Sequence, residues 1–140
     1  MKKRDVAALI DHTILKPEAT RQDVARIIEE GASAGTFSVC VSPSMLPLDV
    51  PDGLKVACVV GFPSGAVKPQ VKAFEAAQAV ADGADEIDYV VNLTELKAGN
   101  LDHVQREMAS IVALCREKGV LSKVIFENCY LTDAEKRSLC

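Results

Sequence analysis

An α/β fold on a parallel sheet is predicted by three observations. Short apolar, β-rich runs alternate with longer stretches of helical period. Several of those stretches end at a glycine: Gly35, Gly83 and Gly119. The strand-like run over residues 55–62 is near-continuously apolar, as strands buried on both faces are. At 140 residues, with 49% hydrophobic and 26% charged residues, the composition is that of one ordinary globular domain, 1–140, and excludes a disordered or collagenous chain.

In order, residues 4–10 read as a short helix or lead-in and residues 9–15 as a first strand, with Asp11, His12 and Thr13 in its middle. Thr20 with Asp23 three residues on is a capping-box start. Val24, Ile27 and Ile28 follow at helical spacing, and Gly31 and Gly35 close that helix. Residues 37–41 form a second strand. Pro43, Pro47 and Pro51 leave little room for a regular helix before residues 55–62, the third strand. Gly61-Phe62-Pro63-Ser64-Gly65 is the loop that follows.

Residues 69–82 are helical, with Val71, Phe74 and Ala77 as inner positions and Gly83 as the stop. Residues 87–92 make a fourth strand. Residues 101–118 make the longest helix, with Val104, Met108, Ile111 and Cys115 on one stripe and Gly119 at its end. A fifth strand spans 121–128, and Thr132 with Glu135 opens a further helix just before the last residue. Right-handed crossovers put the helices on one face if the sheet curls, and on both if it is doubly wound. A chain that stops inside a helix reads as an interrupted architecture.

Charge and composition narrow the partners. Sixteen basic and twenty acidic side chains give a net −4, there is no Trp, and the basic residues are scattered. Nucleic acid is not an expected partner. No apolar run approaches the roughly 20 residues of a membrane helix. Met1-Lys2-Lys3-Arg4 resembles the start of a signal peptide, but Asp5 follows and no apolar segment comes after it. The expectation is a cytoplasmic protein with no membrane partner. Cys40, Cys58, Cys115, Cys129 and Cys140 are odd in number and lack CxxC spacing, which reads as buried small hydrophobes rather than disulfides or metal ligands.

Polar residues inside apolar strands are costly unless paired. Alternation puts Asp88, Val90 and Asn92 on one face of the fourth strand, and Lys123, Ile125 and Glu127 on one face of the fifth. The opposite faces, Ile87, Tyr89 and Val91, and Val124 and Phe126, suit packing under helices. A barrel interior would bring Asp88 and Lys123 together as an ion pair, with Asp11 and Thr13 supplied by the first strand. A lysine whose pKa can be tuned is what Schiff-base chemistry needs.

Plainer readings stand beside these. Lys123 can snorkel to solvent as Lys55 does, Asp88 can be a structural ion-pair member or a cap, and Glu127 a strand-end carboxylate. His12 can be a packing histidine, and the Gly61–Gly65 loop either cradles a phosphate or is a glycine-rich turn without a P-loop's lysine-serine ending.

The wording of the chain resembles the deoxyribose-phosphate aldolases. Asp11-His12-Thr13-Ile14-Leu15-Lys16-Pro17-Glu18-Ala19-Thr20 is similar to their opening strand and loop. Val39-Cys40-Val41-Ser42-Pro43 (the family more often has Asn before the Pro), Val59-Val60-Gly61-Phe62-Pro63, Gly83-Ala84-Asp85-Glu86-Ile87-Asp88 and Lys123-Val124-Ile125-Phe126-Glu127 follow in family order. The resemblance implies a TIM (β/α)8 barrel of which about the first five β/α units are present, a half-barrel.

It also implies a class I aldolase, a metal-free and cofactor-free lyase of deoxyribonucleotide catabolism. Such an enzyme reversibly cleaves 2-deoxy-D-ribose 5-phosphate to acetaldehyde and D-glyceraldehyde 3-phosphate through a lysine Schiff base. Asp88 matches the family's proton-relaying aspartate and Lys123 the strand-five lysine of the same network. Asp11 and Thr13 match first-strand active-site residues, and Cys40 a cysteine near the aldehyde pocket.

The departures are as informative. A (β/α)8 barrel takes about 250 residues. The family's Schiff-base lysine lies in a sixth-strand Lys-Thr-Ser-Thr-Gly motif that this sequence lacks, as it lacks the second lysine of strand seven and the late glycine-rich phosphate loops. The proline-rich stretch 42–53 replaces a longer second helix. Two expectations follow: an aldolase by descent that is inactive as this chain, and a non-catalytic half-barrel that self-associates, a dimer being the simplest form.

Overall fold

Local sequence sets where most elements start and stop. In the computed structural model, which describes residues 3–140, α1 (Lys3–Ala7) leads into β1 (Asp11–Thr13). Met1 and Lys2 of the charged N-terminal run lie outside the described residues. Then come α2 (Arg21–Ala34), β2 (Ser38–Val41), β3 (Lys55–Val60), α3 (Pro69–Ala81) and β4 (Glu86–Val90). The rest is α4 (Leu93–Lys97), α5 (Leu101–Lys118), β5 (Leu121–Ile125) and α6 (Asp133–Ser138), with single 3-10 turns at Pro43–Met45 and Asn128–Tyr130.

Thr20 and Asp23 make both bonds of a capping box on α2, and Thr132 and Glu135 do the same on α6. Gly35 and Gly119 close α2 and α5 in the left-handed conformation, at φ 70° and 68°. Gly31 does not end α2, contrary to expectation. It lies inside the helix, where a Cβ would sit 2.9 Å from Thr36 Oγ1 and 3.2 Å from Val39 Cγ1, so its absence lets α2 approach β2.

Among the described residues the strands form one parallel sheet in the order β1-β2-β3-β4-β5. Asp11 pairs in register with Ser38, Val59 with Asp88, and Asp88 with Lys123. One face carries Val39, Val41, Val56, Cys58, Val60, Ile87 and Tyr89, packed against Val24 and Ile27 of α2, Ala76 and Ala79 of α3, and Ile111 and Cys115 of α5. The helices therefore share one side, as in a curled sheet. Each fully buried Val or Ile there contributes about 1.5–3 kcal/mol.

The helix α3 buries a different face from the one its apolar spacing predicts. Val71 and Phe74 are 55% and 71% exposed, Ala77 also faces out, and the buried positions are Lys72, Ala76 and Ala79. The Lys72 ammonium donates to Glu107 Oε1 of α5 at 2.6 Å and to the Val90 carbonyl of β4 at 2.7 Å. A paired charge thus occupies a core position, and the small alanines beside it allow close packing on the sheet. Glu107 in turn takes a buried place on the α5 stripe, and Met108 is only half-buried.

Other departures are local. The fourth strand ends at Val90, and Asn92 caps α4, its side-chain oxygen accepting from the Glu95 N–H. The fifth strand ends at Ile125, so Glu127 falls in a turn, at φ 55°. Cys40, Cys58 and Cys115 are buried as expected, but Cys129 and Cys140 are exposed, and all five thiols are free. Among the described residues no helix is long and apolar enough to cross a membrane.

Candidate functional site

The sheet's other face holds the polar residues. Cys40 of β2 and Ala57 and Val59 of β3 form a small apolar cluster there with Leu15 and Ile125. Around it the strand alternation places Asp11, Ser38, Glu86, Asp88 and Lys123. The Lys123 ammonium donates to Asp11 Oδ2 at 2.6 Å and to Glu86 Oε1 at 2.5 Å, and lies 3.1 Å from Asp88 Oδ2. Asp11 belongs to the first strand of the sheet and Lys123 to the last, so this contact measures the curl: the two edge strands meet across the concave face.

Each carboxylate is held differently. Ser38 Oγ donates to Asp11 Oδ1 at 2.6 Å. Partial burial works to raise the Asp11 pKa, but the Lys123 and Ser38 hydrogen bonds outweigh it and hold it below the usual range. Asp88 is 5% exposed, its Oδ1 has no hydrogen-bond partner among the described residues, and the Cys40 thiol lies 4.0 Å from its Oδ2. Burial pushes Asp88 up to about 7; Lys123 opposes the rise and Glu86 adds to it.

Burial works to lower the Lys123 pKa, but Asp11, Glu86 and Asp88 together keep it above the ordinary lysine value. Burial, with Asp88 and Asp11 nearby, pushes the Cys40 thiol to about 12. Cys40 is therefore a protonated thiol at neutral pH, not a nucleophile.

The oxygens of Asp11, Glu86 and Asp88 lie within 4.8 Å of one another, close enough to share a cation, and the cation among them is the Lys123 ammonium. Lys123 is thus a fixed positive charge, not the free amine that carbonyl addition requires. Asp88 is a carboxyl able to exchange a proton near neutrality, the property of a general acid or base.

Asp11, Asp88 and Lys123 come together as their strand positions predict, and Cys40, named only through the resemblance, lies beside Asp88. Thr13 is adjacent, but its hydroxyl donates to the Asp11 carbonyl at 2.8 Å and takes no part in the ion cluster. His12 points to the helix side, 2.9 Å from Glu30 of α2, which is the packing role. Glu127 lies apart, beside the Cys129 thiol. In the Gly61–Gly65 loop the Gly61 N–H donates to Glu75 Oε2 and the Gly65 N–H to the Gly61 carbonyl, both at 2.7 Å. Neither N–H is free to hold a phosphate.

Glu86 and Ser38 are the members that sequence reasoning missed. The available signal was spacing: each lies two residues before a recognised site residue, on the same strand face.

A profile of the DeoC/LacD family aldolases matches residues 6–137. The deoxyribose-phosphate aldolase of Corynebacterium diphtheriae is 51% identical over 138 residues, which cover 99% of this chain and 63% of that protein. Among solved structures, the aldolase QR15 superposes with a TM-score of 0.86 at 35% identity, covering 94% of this chain and 59% of that one. The tetrameric deoxyribose phosphate aldolase of Aeropyrum pernix does so with 0.84 at 30% identity, covering 99% and 59%. The architecture is that of the TIM-barrel aldolases, and the five β/α units described here correspond to a half-barrel.

Proposed function

Because the chain belongs to the DeoC/LacD aldolase family, we propose that its concave face carries the acid–base part of a deoxyribose-phosphate aldolase site. The reaction is the reversible cleavage of 2-deoxy-D-ribose 5-phosphate to acetaldehyde and D-glyceraldehyde 3-phosphate through a lysine Schiff base, in deoxyribonucleotide catabolism. Asp88 and Lys123 are the catalytic residues of this portion, and Asp11, Thr13 and Cys40 line the substrate pocket. One observation carries the reading: the buried Asp88 carboxyl sits 3.1 Å from the Lys123 ammonium on the concave face of the sheet, where burial pushes it up to about 7.

The chemistry asks for such a pair. Once the substrate aldehyde is held as an iminium, breaking the C2–C3 bond requires the C3 hydroxyl to lose its proton, and C2 of the resulting enamine to gain one. A carboxyl with a pKa near the working pH can take the first proton and return the second. The neighbouring ammonium stabilises its charged form before the first transfer and after the second.

The amine that forms the iminium must be unprotonated, which Lys123 is not. The 140 residues contain no Lys-Thr-Ser-Thr-Gly run, and they span 63% of the length of the diphtheria relative. This chain therefore does not complete the cleavage by itself. Acetaldehyde with sodium borohydride, followed by intact mass, tests that statement against a heat-denatured control. No adduct specific to the folded chain is expected; one mapping to Lys123 overturns it. Deoxyribose 5-phosphate at millimolar concentration is expected to shift the Asp88 carboxyl resonance, and to lose that effect in Lys123→Met. A resonance that never moves counts against the site.

A second reading concerns assembly and rests on the sheet edges. Among the described residues β1 pairs only with β2, and β5 only with β4, so each keeps an open side. Open parallel edges beside a curled polar face favour association with a second copy.

A further inference from the structure

The three carboxylates of the concave face share one ammonium, so they cannot all be charged and equally well satisfied. Counting donors ranks them. Asp11 receives Lys123 and Ser38, both at 2.6 Å. Glu86 receives Lys123 at 2.5 Å. Asp88 has Lys123 at 3.1 Å, the Cys40 thiol at 4.0 Å, and nothing on its buried Oδ1. Glu86 and Asp88 are equally buried, at 5% exposure, so depth alone does not separate them. What separates them is which one holds the lysine.

We propose that Glu86 is a positioning residue: by holding the shared Lys123 ammonium at a shorter distance than Asp88 does, from the same face of β4, it makes Asp88 the carboxyl that carries the proton. The geometry stands without the aldolase reading; the use made of the proton rests on it. Every charged or titratable neighbour facing Asp88 fits this division. Asp11 comes from β1, Cys40 from β2, Glu86 from β4 itself and Lys123 from β5, while β3 offers the apolar Val59 in register. Lys123 is the lone cation of the group, and Glu86 lies closer to it than Asp88 does. Two carboxyls two residues apart on one strand face then favour a proton on the one with the weaker donors.

The test is a carbon-13 titration of the Asp88 carboxyl in the intact 140-residue chain between pH 3 and 9, assigned by its loss in Asp88→Asn. In the native chain the midpoint is expected well above the ordinary carboxylate range. In Glu86→Gln, isosteric and uncharged, it is expected to fall by about one pH unit or more, because the like charge is gone and the ammonium is free to move onto Asp88. Glu86→Asp keeps the charge and is expected to restore most of the elevation. A structural Glu86 would move the unfolding midpoint and leave the Asp88 titration where it was, and that outcome overturns the proposal.

Should Glu86→Gln not fold, Glu86→Ser, smaller and equally uncharged, decides instead. The Asp88 midpoint is expected to fall in it as well, and an unchanged midpoint overturns the proposal. An Asp88 that titrates normally in the native chain overturns it as well. A sugar phosphate that fails to perturb the concave face would remove the aldolase reading and leave the titration result standing, so the two failures are distinguishable.

Discussion

A charged residue in an apolar strand either finds a partner or costs several kcal/mol, and this made the centre of the site legible. Asp11, Asp88 and Lys123 interrupt runs that are otherwise apolar, and the period of two sends them to one face. Glu86 was hidden because it sits at the start of its strand, beside Asp85, where an acid reads as a solvated end. Asp85 is indeed partnered at the rim, by Lys55 at 2.9 Å.

The consequence for stability has a definite sign. The folded-state pKa of Asp88, raised by burial to about 7, lies above that of an unfolded aspartate, about 3.9. The folded chain therefore holds a proton that the unfolded chain releases between those values. The stability this provides is fully present below the unfolded value and is lost as the pH rises through about 7. Asp88→Asn carries no charge at any pH and lacks this dependence. Urea unfolding at constant ionic strength should show the variant gaining on the native chain from pH 4 to pH 8; a gap that stays constant would contradict the assignment.

At the scale of elements, capping boxes and terminal glycines fixed α2, α5 and α6 because those signals are local. The inner face of α3 was not local. It depends on Glu107, 35 residues away, whose carboxylate turns Lys72 into an inward-facing residue. Read alone, Lys72 looks like surface and Phe74 like core, and the structure reverses both. Phe74→Ala is therefore expected to change the unfolding free energy by no more than about 0.5 kcal/mol, the range of surface substitutions. A buried phenylalanine would cost about 3–5 kcal/mol. In the same urea series Lys72→Met should cost about 3–5 kcal/mol, because it leaves Glu107 buried without its counter-ion. The opposite ranking would restore the face that the apolar spacing suggests. The short α4 escaped for a related reason: it is a single capped turn on Asn92, which the strand pattern had claimed.

At the scale of the whole molecule, the alternation of strands and helices gave the parallel sheet, and the polar faces gave its curl. What no strand pattern contains is how the open sides of β1 and β5 are used. The Lys123–Asp11 contact draws the two edge strands together across the concave face, but it is a side-chain contact, and among the described residues no strand pairs with the outer edge of either. β1 is only three residues long, a poor template for pairing, whereas β5 has five residues and begins with Leu121, 56% exposed. Association is therefore expected through β5, and a two-fold axis beside it would close the assembly at a dimer. Sedimentation velocity from 1 to 100 µM should show the weight-average mass rising from that of one chain toward that of two. Leu121→Lys should shift the transition to higher concentration, since a charge on an edge strand opposes its pairing with a like strand. A single-chain mass across the whole range would remove the assembly reading, and an unshifted transition in Leu121→Lys would move the contact away from β5.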